Sequence, residues 1–412
     1  MKNLKFAKVS MSVTALALLA VFGLAGCGGG GGGSSSVGNT KETVIPSTTT
    51  ALNTTTTQAL ASVSSDGSTL TFTQNSSQLQ SLSSGDVLAI GITESTPYGL
   101  LRKVTNVSTV GNEVVVETTP ATIADAIQTG TIEVSKTLTQ SELKISKALK
   151  KGVFLRKNNT AKAVFRKNKT VSNNVELLEW SYDLNNVVLY DADGNESTTS
   201  DQITANGSVS FDLGLDFTCK ITDFQIKQLT FKNTATEAAE ITISSEVSYT
   251  LEKEVDIASL EFSPIVVWVG WLPVYITPVA TVKVGIDGSV SVGISTGAIQ
   301  QAVITTGASY SNGSWSPESS YTNEFSFNPP SLSAGASIKA YSGPQLDLMI
   351  YGSVGPYANI FDYLKLDANI NSNPWWTLYG GLESNIGVKF EILDHEIADY
   401  SVNIFDYSVA LA

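Results

Sequence analysis

Histidine and cysteine are almost absent from this sequence. Its 412 residues include one histidine, His395, and two cysteines, Cys27 and Cys219. A metal site made of several His or Cys ligands is therefore excluded, and so is a framework of intramolecular disulfides. A Ser-His-Asp or Cys-His nucleophile would depend on His395, and no phosphate-cradling loop or dinucleotide fingerprint occurs. We expect that the protein is not an enzyme and needs no cofactor.

Basic residues are also scarce. Lys and Arg number 25 against 38 Asp and Glu, and the formal net charge is −13. So acidic a chain repels phosphate backbones, which argues against nucleic acid as a partner. Ten of the bases fall within residues 144–169, where no acid occurs. This segment is either a solvated connector or a contact site for an anionic surface such as lipid headgroups or acidic polysaccharide. The residues proposed for such a contact are Lys150, Lys151, Arg156 and Lys157.

Long apolar runs are missing beyond the N-terminus, so no transmembrane helix is predicted. The first eight residues include three lysines, residues 11–25 are apolar or small, and Leu24-Ala25-Gly26-Cys27 follows. This order resembles the signal peptide of a bacterial lipoprotein, ending in a lipobox. The resemblance implies that residues 1–26 are removed and that Cys27 carries the lipid. With Gly28 rather than Asp as the next residue, it also implies an outer-membrane protein, anchored by lipid at the cell surface.

Composition divides the rest of the chain into four segments. A Gly- and Ser-rich stretch and a Thr-rich run predict that residues 27–60 are a flexible tether. Short β-branched runs between turn residues predict a small β-rich module at residues 61–138, with a short helix at residues 122–128. Thr139 and Glu142 have capping-box spacing, which predicts a helix leading into the basic connector, together residues 139–173. Residues 174–412 are predicted to form a large antiparallel β domain.

Strict alternation of apolar and polar residues dominates this last segment. From Val209 to Ile221 every second residue is apolar, which predicts a long strand with one buried face that includes Cys219. Residues 241–251 repeat the pattern. Valines alternate on both sides of Asp287-Gly288, which predicts a hairpin whose three-residue loop keeps the apolar residues on one face. The predicted fold class is all-β, mainly antiparallel and sandwich-like, with one or two short helices.

Several motifs resemble segments of uncharacterised bacterial secreted and surface proteins. In the second half of the chain these are Phe327-Asn-Pro-Pro, Lys339-Ala-Tyr-Ser-Gly-Pro, Tyr351-Gly-Ser-Val-Gly-Pro and Trp375-Trp-Thr-Leu-Tyr-Gly-Gly. Ser84-Gly-Asp-Val-Leu in the small module is similar to a segment of the same kind of protein. The resemblance implies an extracellular β-rich architecture and assigns no catalytic or binding residue.

Aromatic residues near glycine and proline are the main binding candidates. Trp375, Trp376, Tyr379 and Trp271 would stack on sugars or fill a pocket of a protein partner if loops present them to solvent. The alternative is that they close the ends of a β-sandwich core.

A weaker candidate is a calcium loop. Asp191, Asp193 and Asn195 place oxygen ligands at alternate positions, as calcium-binding loops do. The glycine between them departs from the EF-hand spacing, and the same residues suit a β-turn, which is the interpretation we favour.

Together these observations predict a non-enzymatic surface lipoprotein. The lipid would anchor the protein to the membrane. The β-rich body would bind an extracellular polysaccharide, the matrix or a protein partner. One alternative is a surface hydrolase that acts on polysaccharide with two carboxylates. The second is a membrane β-barrel or pore component, suggested by the long alternating strands.

Overall fold

The structure is a computed structural model that describes residues 43–156, 178–246, 248–290, 294–331, 336–369, 371–388 and 400–411. It confirms the predicted all-β class, with mainly antiparallel sheets in a sandwich-like arrangement and short helices only.

A small sheet forms the N-terminal part. The strands are β1 (Thr49–Ala51), β2 (Leu60–Val63), β3 (Thr69–Phe72), β4 (Val87–Ile90), β5 (Leu100–Val110) and β6 (Glu113–Pro120). They lie in the order β1-β4-β5-β6-β3-β2, in which only β1 and β4 are parallel. Three short helices accompany them: α1 (Thr54–Gln58), α2 (Ser77–Gln80) and α3 (Ile123–Ala126). The predicted helix at residues 122–128 is thus present, and Thr122 and Asp125 close its capping box.

Two larger sheets face each other in the rest of the chain. The back-sheet strands are β7 (Thr129–Thr137), β9 (Val153–Leu155), β10 (Trp180–Asp191), β11 (Gln202–Thr222), β12 (Gln225–Ser245), β16 (Ile294–Ser311) and β17 (Ser314–Ser331). They lie in the order β17-β16-β12-β11-β10-β9, and β7 also pairs with β11.

The front-sheet strands are β8 (Leu143–Ala148), β13 (Tyr249–Phe262), β14 (Ile265–Val269), β15 (Leu272–Val290), β18 (Ala336–Ile350), β19 (Ser353–Ala368), β20 (Trp376–Val388) and β21 (Tyr400–Ala410). They lie in the order β21-β20-β19-β18-β15-β13-β8, and β14 pairs with β15.

The main core lies between these two sheets. Alternate residues of β11 and β12, among them Phe211, Phe217 and Phe231, are fully buried and face residues such as Leu346 and Ile360 of the front sheet. The long strand predicted from Val209 to Ile221 is therefore confirmed, and Cys219 is fully buried on its inner face. A second, smaller core under the small sheet includes Leu70, Phe72 and Leu88.

The segment boundaries differ from those expected. The chain is already folded from Thr43, where residues 27–60 were expected to be a tether: Asn53 caps α1, and Thr49 Oγ1 donates to Ala126 O at 3.0 Å. At the other boundary, β7 pairs with β11 of the back sheet rather than with the small sheet. Polar residues of the expected tether are buried and hydrogen-bonded: Thr56 is 2% exposed, and its hydroxyl donates to Ser76 Oγ at 3.1 Å.

The prediction of a helix after Thr139 is wrong. The capping box between Thr139 and Glu142 forms, but it closes a single 3-10 turn (Gln140–Glu142), after which the chain becomes strand β8. Pairing with β13 at the edge of the front sheet outweighs the local helical signal.

Two strand assignments also fail. Residues 241–251 do not form one strand, because β12 ends at Ser245 in the back sheet and β13 begins at Tyr249 in the front sheet. Asp287-Gly288 is not a hairpin loop: β15 continues through it to Val290, and the next strand, β16, belongs to the back sheet. Gly288 has a φ of +114°, and an added Cβ would lie 2.2 Å from Ser337 O. Glycine at this position therefore allows the backbone of β18 to approach β15 closely.

Candidate functional site

A polar groove crosses the outer face of the front sheet. One row of paired residues runs across it: Asp287 of β15 lies opposite Lys339 of β18, Lys339 opposite Lys365 of β19, and Lys365 opposite Tyr379 of β20. Because side chains alternate along a strand, residues paired in this way point to the same face. The groove encloses about 410 Å³, within the ~300–1,000 Å³ typical of sites for small ligands.

Ion pairs neutralise the lysines of the groove. Lys339 pairs with Glu383, and its Nζ lies 4.3 Å from the centroid of the Tyr363 ring. Lys365 Nζ lies 3.3 Å from Asp367 Oδ2. Carboxylates at Asp287 and Asp406 also line the groove. The groove therefore has no excess of positive charge.

Tyr363 forms part of the floor and is held rigidly. Its hydroxyl donates to Asp406 Oδ1 at 2.6 Å. Burial, together with this hydrogen bond to a carboxylate, raises the pKa of Tyr363 well above its usual value, so the hydroxyl stays a donor. The ring covers Gly381 of the neighbouring strand, where an added Cβ would lie only 2.0 Å from Tyr363 Cζ.

The same arrangement recurs along the outer face. Tyr341 covers Gly285, and Tyr357 covers Gly387, each pair directly opposite in register. Glycine leaves room for a ring to lie across the neighbouring strand, and the ring supplies the packing that glycine lacks. These pairs fix the tyrosines without burying the whole outer face.

A pair of carboxyl groups lies inside the sandwich. Glu237 of β12 is 1% exposed and Asp362 of β19 is 6% exposed, and the two interact across the space between the sheets. Burial raises the pKa of both groups: that of Asp362 to about 6 and that of Glu237 well above its usual value, with the negative charge of Asp362 as a further cause for Glu237. Ser342 donates to Asp362 Oδ1 at 3.1 Å. Each carboxyl group therefore keeps its proton to a higher pH than the same group does in water.

A small cavity lies beside this pair. Asp362, Ser342 and Gln300 line it, and its volume of about 20 Å³ is enough for one water molecule. Tyr363 lines both this cavity and the outer groove, and its side chain lies on the opposite side of β19 from that of Asp362.

The predicted aromatic candidates do not form one site. Trp375 and Trp376 contact each other edge to face, and Trp376 also packs against Phe327, so it is half-buried. Tyr379 lines the groove on the outer face. Trp271 lies in the turn between β14 and β15, at the opposite end of the front sheet. The 15 residues of β18, about 50 Å of strand, separate these two ends.

The basic candidates are also divided. Lys150 and Lys151 are exposed in the turn between β8 and β9. Arg156 is engaged with Asp183, to which its Nε donates at 3.0 Å. Lys157 lies outside the described residues, as do Cys27 and His395.

The weak calcium candidate forms a turn. Asn195 N–H donates to Asp191 Oδ1 at 3.0 Å and to Asp193 Oδ1 at 2.8 Å, so Asn195 closes the turn. Asp201, which the sequence did not indicate, brings a third carboxylate within 4.8 Å of the other two. The hydrogen bond from the Gln202 side chain is the main cause that lowers the pKa of Asp191.

Most residues of the groove were not predicted from the sequence. Tyr379 was proposed, but Lys339, Lys365 and Asp406 were not, because the register that unites them is a property of the sheet. Glu237 did carry a local signal: it occupies the inward parity of β12, two residues from Ala235 and two from Ala239.

Among the residues that the structure describes, no helix is long and apolar enough to cross a membrane. No family model matches the chain, and neither a curated protein nor a solved structure matches it.

Proposed function

We propose that this protein is a lipid-anchored surface protein that binds an extracellular polysaccharide in the outer groove. The observation that carries the proposal is the groove itself: a rigid tyrosine floor flanked by acceptors and donors in about 410 Å³. Sugars offer hydroxyl groups to carboxylates and ammonium groups, and they present C–H faces to aromatic rings.

The charges of the groove favour a neutral polymer. Glu383 and Asp367 neutralise Lys339 and Lys365, and the chain as a whole is acidic. An anionic polysaccharide would therefore be repelled. Asp287 and Asp406 remain as acceptors for hydroxyl groups, and Tyr379 is a half-exposed aromatic surface at the end of the row.

The anchor is proposed on the N-terminal sequence. Leu24-Ala25-Gly26-Cys27 follows a basic and then apolar leader, which supports lipid attachment at Cys27 and a place at the outer membrane. Several acyl chains on one cysteine would anchor the protein durably in the membrane, since each buried CH₂ contributes about 0.8 kcal/mol to membrane binding. The role proposed is contact with the matrix or with other cells, without catalysis.

A glycan-binding assay tests the groove. A chain of residues 27–412, which retains every residue that the structure describes, is applied to immobilised neutral, amino-sugar and acidic polysaccharides. We expect binding to a neutral polymer and about tenfold weaker binding by Tyr379→Ala, since it removes the aromatic surface.

Tyr357→Ala is the matched control. Tyr357 lies on the same face of the same sheet but outside the groove, so its loss should leave binding unchanged. Equal weakening by both variants, or binding of acidic polymers alone, would remove the groove as the site.

A further inference from the structure

The end of the molecule where the described chain begins carries exposed apolar side chains. Val44 O accepts from Gln128 N–H, and Gln128 O accepts from Phe224 N–H at 3.0 Å. Gly270, in the turn between β14 and β15, lies against Thr43, at 3.3 Å from its Cγ2 to the position of an added Cβ. The first described residues, the β11–β12 turn and the β14–β15 hairpin therefore meet at one end.

The tryptophans of this hairpin are the most exposed in the protein. Trp268 is 66% exposed and Trp271 is 51% exposed, against 36% for Trp375 at the other end. Phe224, Val266 and Val44 are exposed beside them. Exposed aromatic residues grouped on adjacent turns mark a contact surface, whereas a single one would need no explanation.

Charge is absent from the hairpin. Residues 263–282 contain no Asp, Glu, Lys or Arg, although the chain as a whole is rich in acids. This segment therefore meets no ionic desolvation cost when it leaves water. Tryptophan suits the boundary between lipid headgroups and acyl chains, because its ring is apolar and its N–H still finds an acceptor.

We propose that this end of the sandwich rests on the bilayer surface, with Trp268 and Trp271 inserted among the headgroups. The proposal rests on the proposed lipid at Cys27 for its orientation. Fifteen residues separate Cys27 from Thr43, and their Gly- and Ser-rich sequence predicts an average span of about 21 Å. The lipid therefore holds this end, and not the groove, next to the membrane.

Fluorescence quenching tests the contact without natural lipidation. The thiol of Cys27 in the chain of residues 27–412 is coupled to a maleimide-headgroup lipid in vesicles of brominated phosphatidylcholine. Cys219 is fully buried, so the coupling is specific. Bromine quenches tryptophans that enter the lipid. We expect quenching relative to unbrominated vesicles, its loss in the double variant Trp268→Ser/Trp271→Ser, and no change in Trp375→Ser.

The outcomes separate the two proposals. Absence of quenching in the coupled protein, or equal quenching of the double variant and the native chain, overturns the membrane contact. The mass of the N-terminal peptide from the native host decides the lipid anchor on its own. A chain without acyl groups would refute the anchor, while the coupled vesicles would still decide whether the two tryptophans enter a bilayer.

Discussion

Replacement of Glu237 by glutamine should make the protein less sensitive to pH. Glu237 keeps its proton in the folded protein at a pH where a glutamate of the unfolded chain has lost it. A raised folded-state pKa means that the associated stability is fully present below the unfolded pKa, near 4.5, and is lost as the pH rises. Each proton retained by the folded state lowers the free energy of unfolding by about 1.4 kcal/mol per pH unit.

Over the two units from pH 5 to pH 7, one retained proton lowers the stability of the native chain by at most about 3 kcal/mol. Glu237→Gln does not titrate, so it lacks this loss. The difference in stability between the variant and the native protein should therefore shift in favour of the variant as the pH rises, by at most about 3 kcal/mol over this range. The proton on Asp362 also contributes stability that is lost as the pH rises through about 6, but Asp362 is present in both proteins.

Urea unfolding followed by circular dichroism at pH 5, 6 and 7 measures this difference. Glu240→Gln is the control, because Glu240 lies on the same strand but on the outer face. Parallel stability curves for the Glu237 variant and the native protein would refute the interpretation of a retained proton. A control variant that shifts as much as the Glu237 variant would refute it as well.

Three further perturbations test other parts of the structure. Gly99→Ala adds a Cβ 2.7 Å from the Tyr275 ring at a φ of +74°, so it should cost about 2–4 kcal/mol in urea unfolding. Gly111→Ala has a similar φ in open space and should cost only about 1–2 kcal/mol. Gly381→Ala displaces the Tyr363 ring and should cost about 1–3 kcal/mol and weaken polysaccharide binding, whereas Gly214→Ala, which meets nothing closer than 3.8 Å, should bind normally. Cys27→Ser should release the protein from the membrane fraction or leave it unprocessed, and unchanged membrane retention would contradict lipid attachment.

Burial of one face of a sheet made some strands predictable from the sequence. Alternation identified β11 because its inner residues all enter the core between the sheets. The same argument failed at Asp287-Gly288, since alternation does not reveal whether a strand turns or continues. Glycine there relieves contact with Ser337 O, a need set by β18, which lies about 50 residues away in the sequence.

Prediction of the candidate site depended even more on pairing between distant strands. Lys339, Lys365 and Tyr379 meet because three strands align in register, and no local spacing encodes that register. The capping box at Thr139 shows the reverse case, in which a correct local signal is overruled by pairing with β13. The inward position of Glu237 was visible in the sequence, but its partner, Asp362, was not.

The length of the strands has a mechanical consequence. Strand β15 runs from the hairpin of Trp271 to the groove at Asp287, about 50 Å away. Under the two proposals, a pull between the membrane-bound end and a polymer in the groove would act along the strands, perpendicular to the hydrogen bonds that join them. Such a load shears many bonds at once, as in the pairing of β15 with β18 from Ile276 to Ser289, instead of opening them one by one. Held and loaded in this way, the sandwich would transmit tension between its two ends.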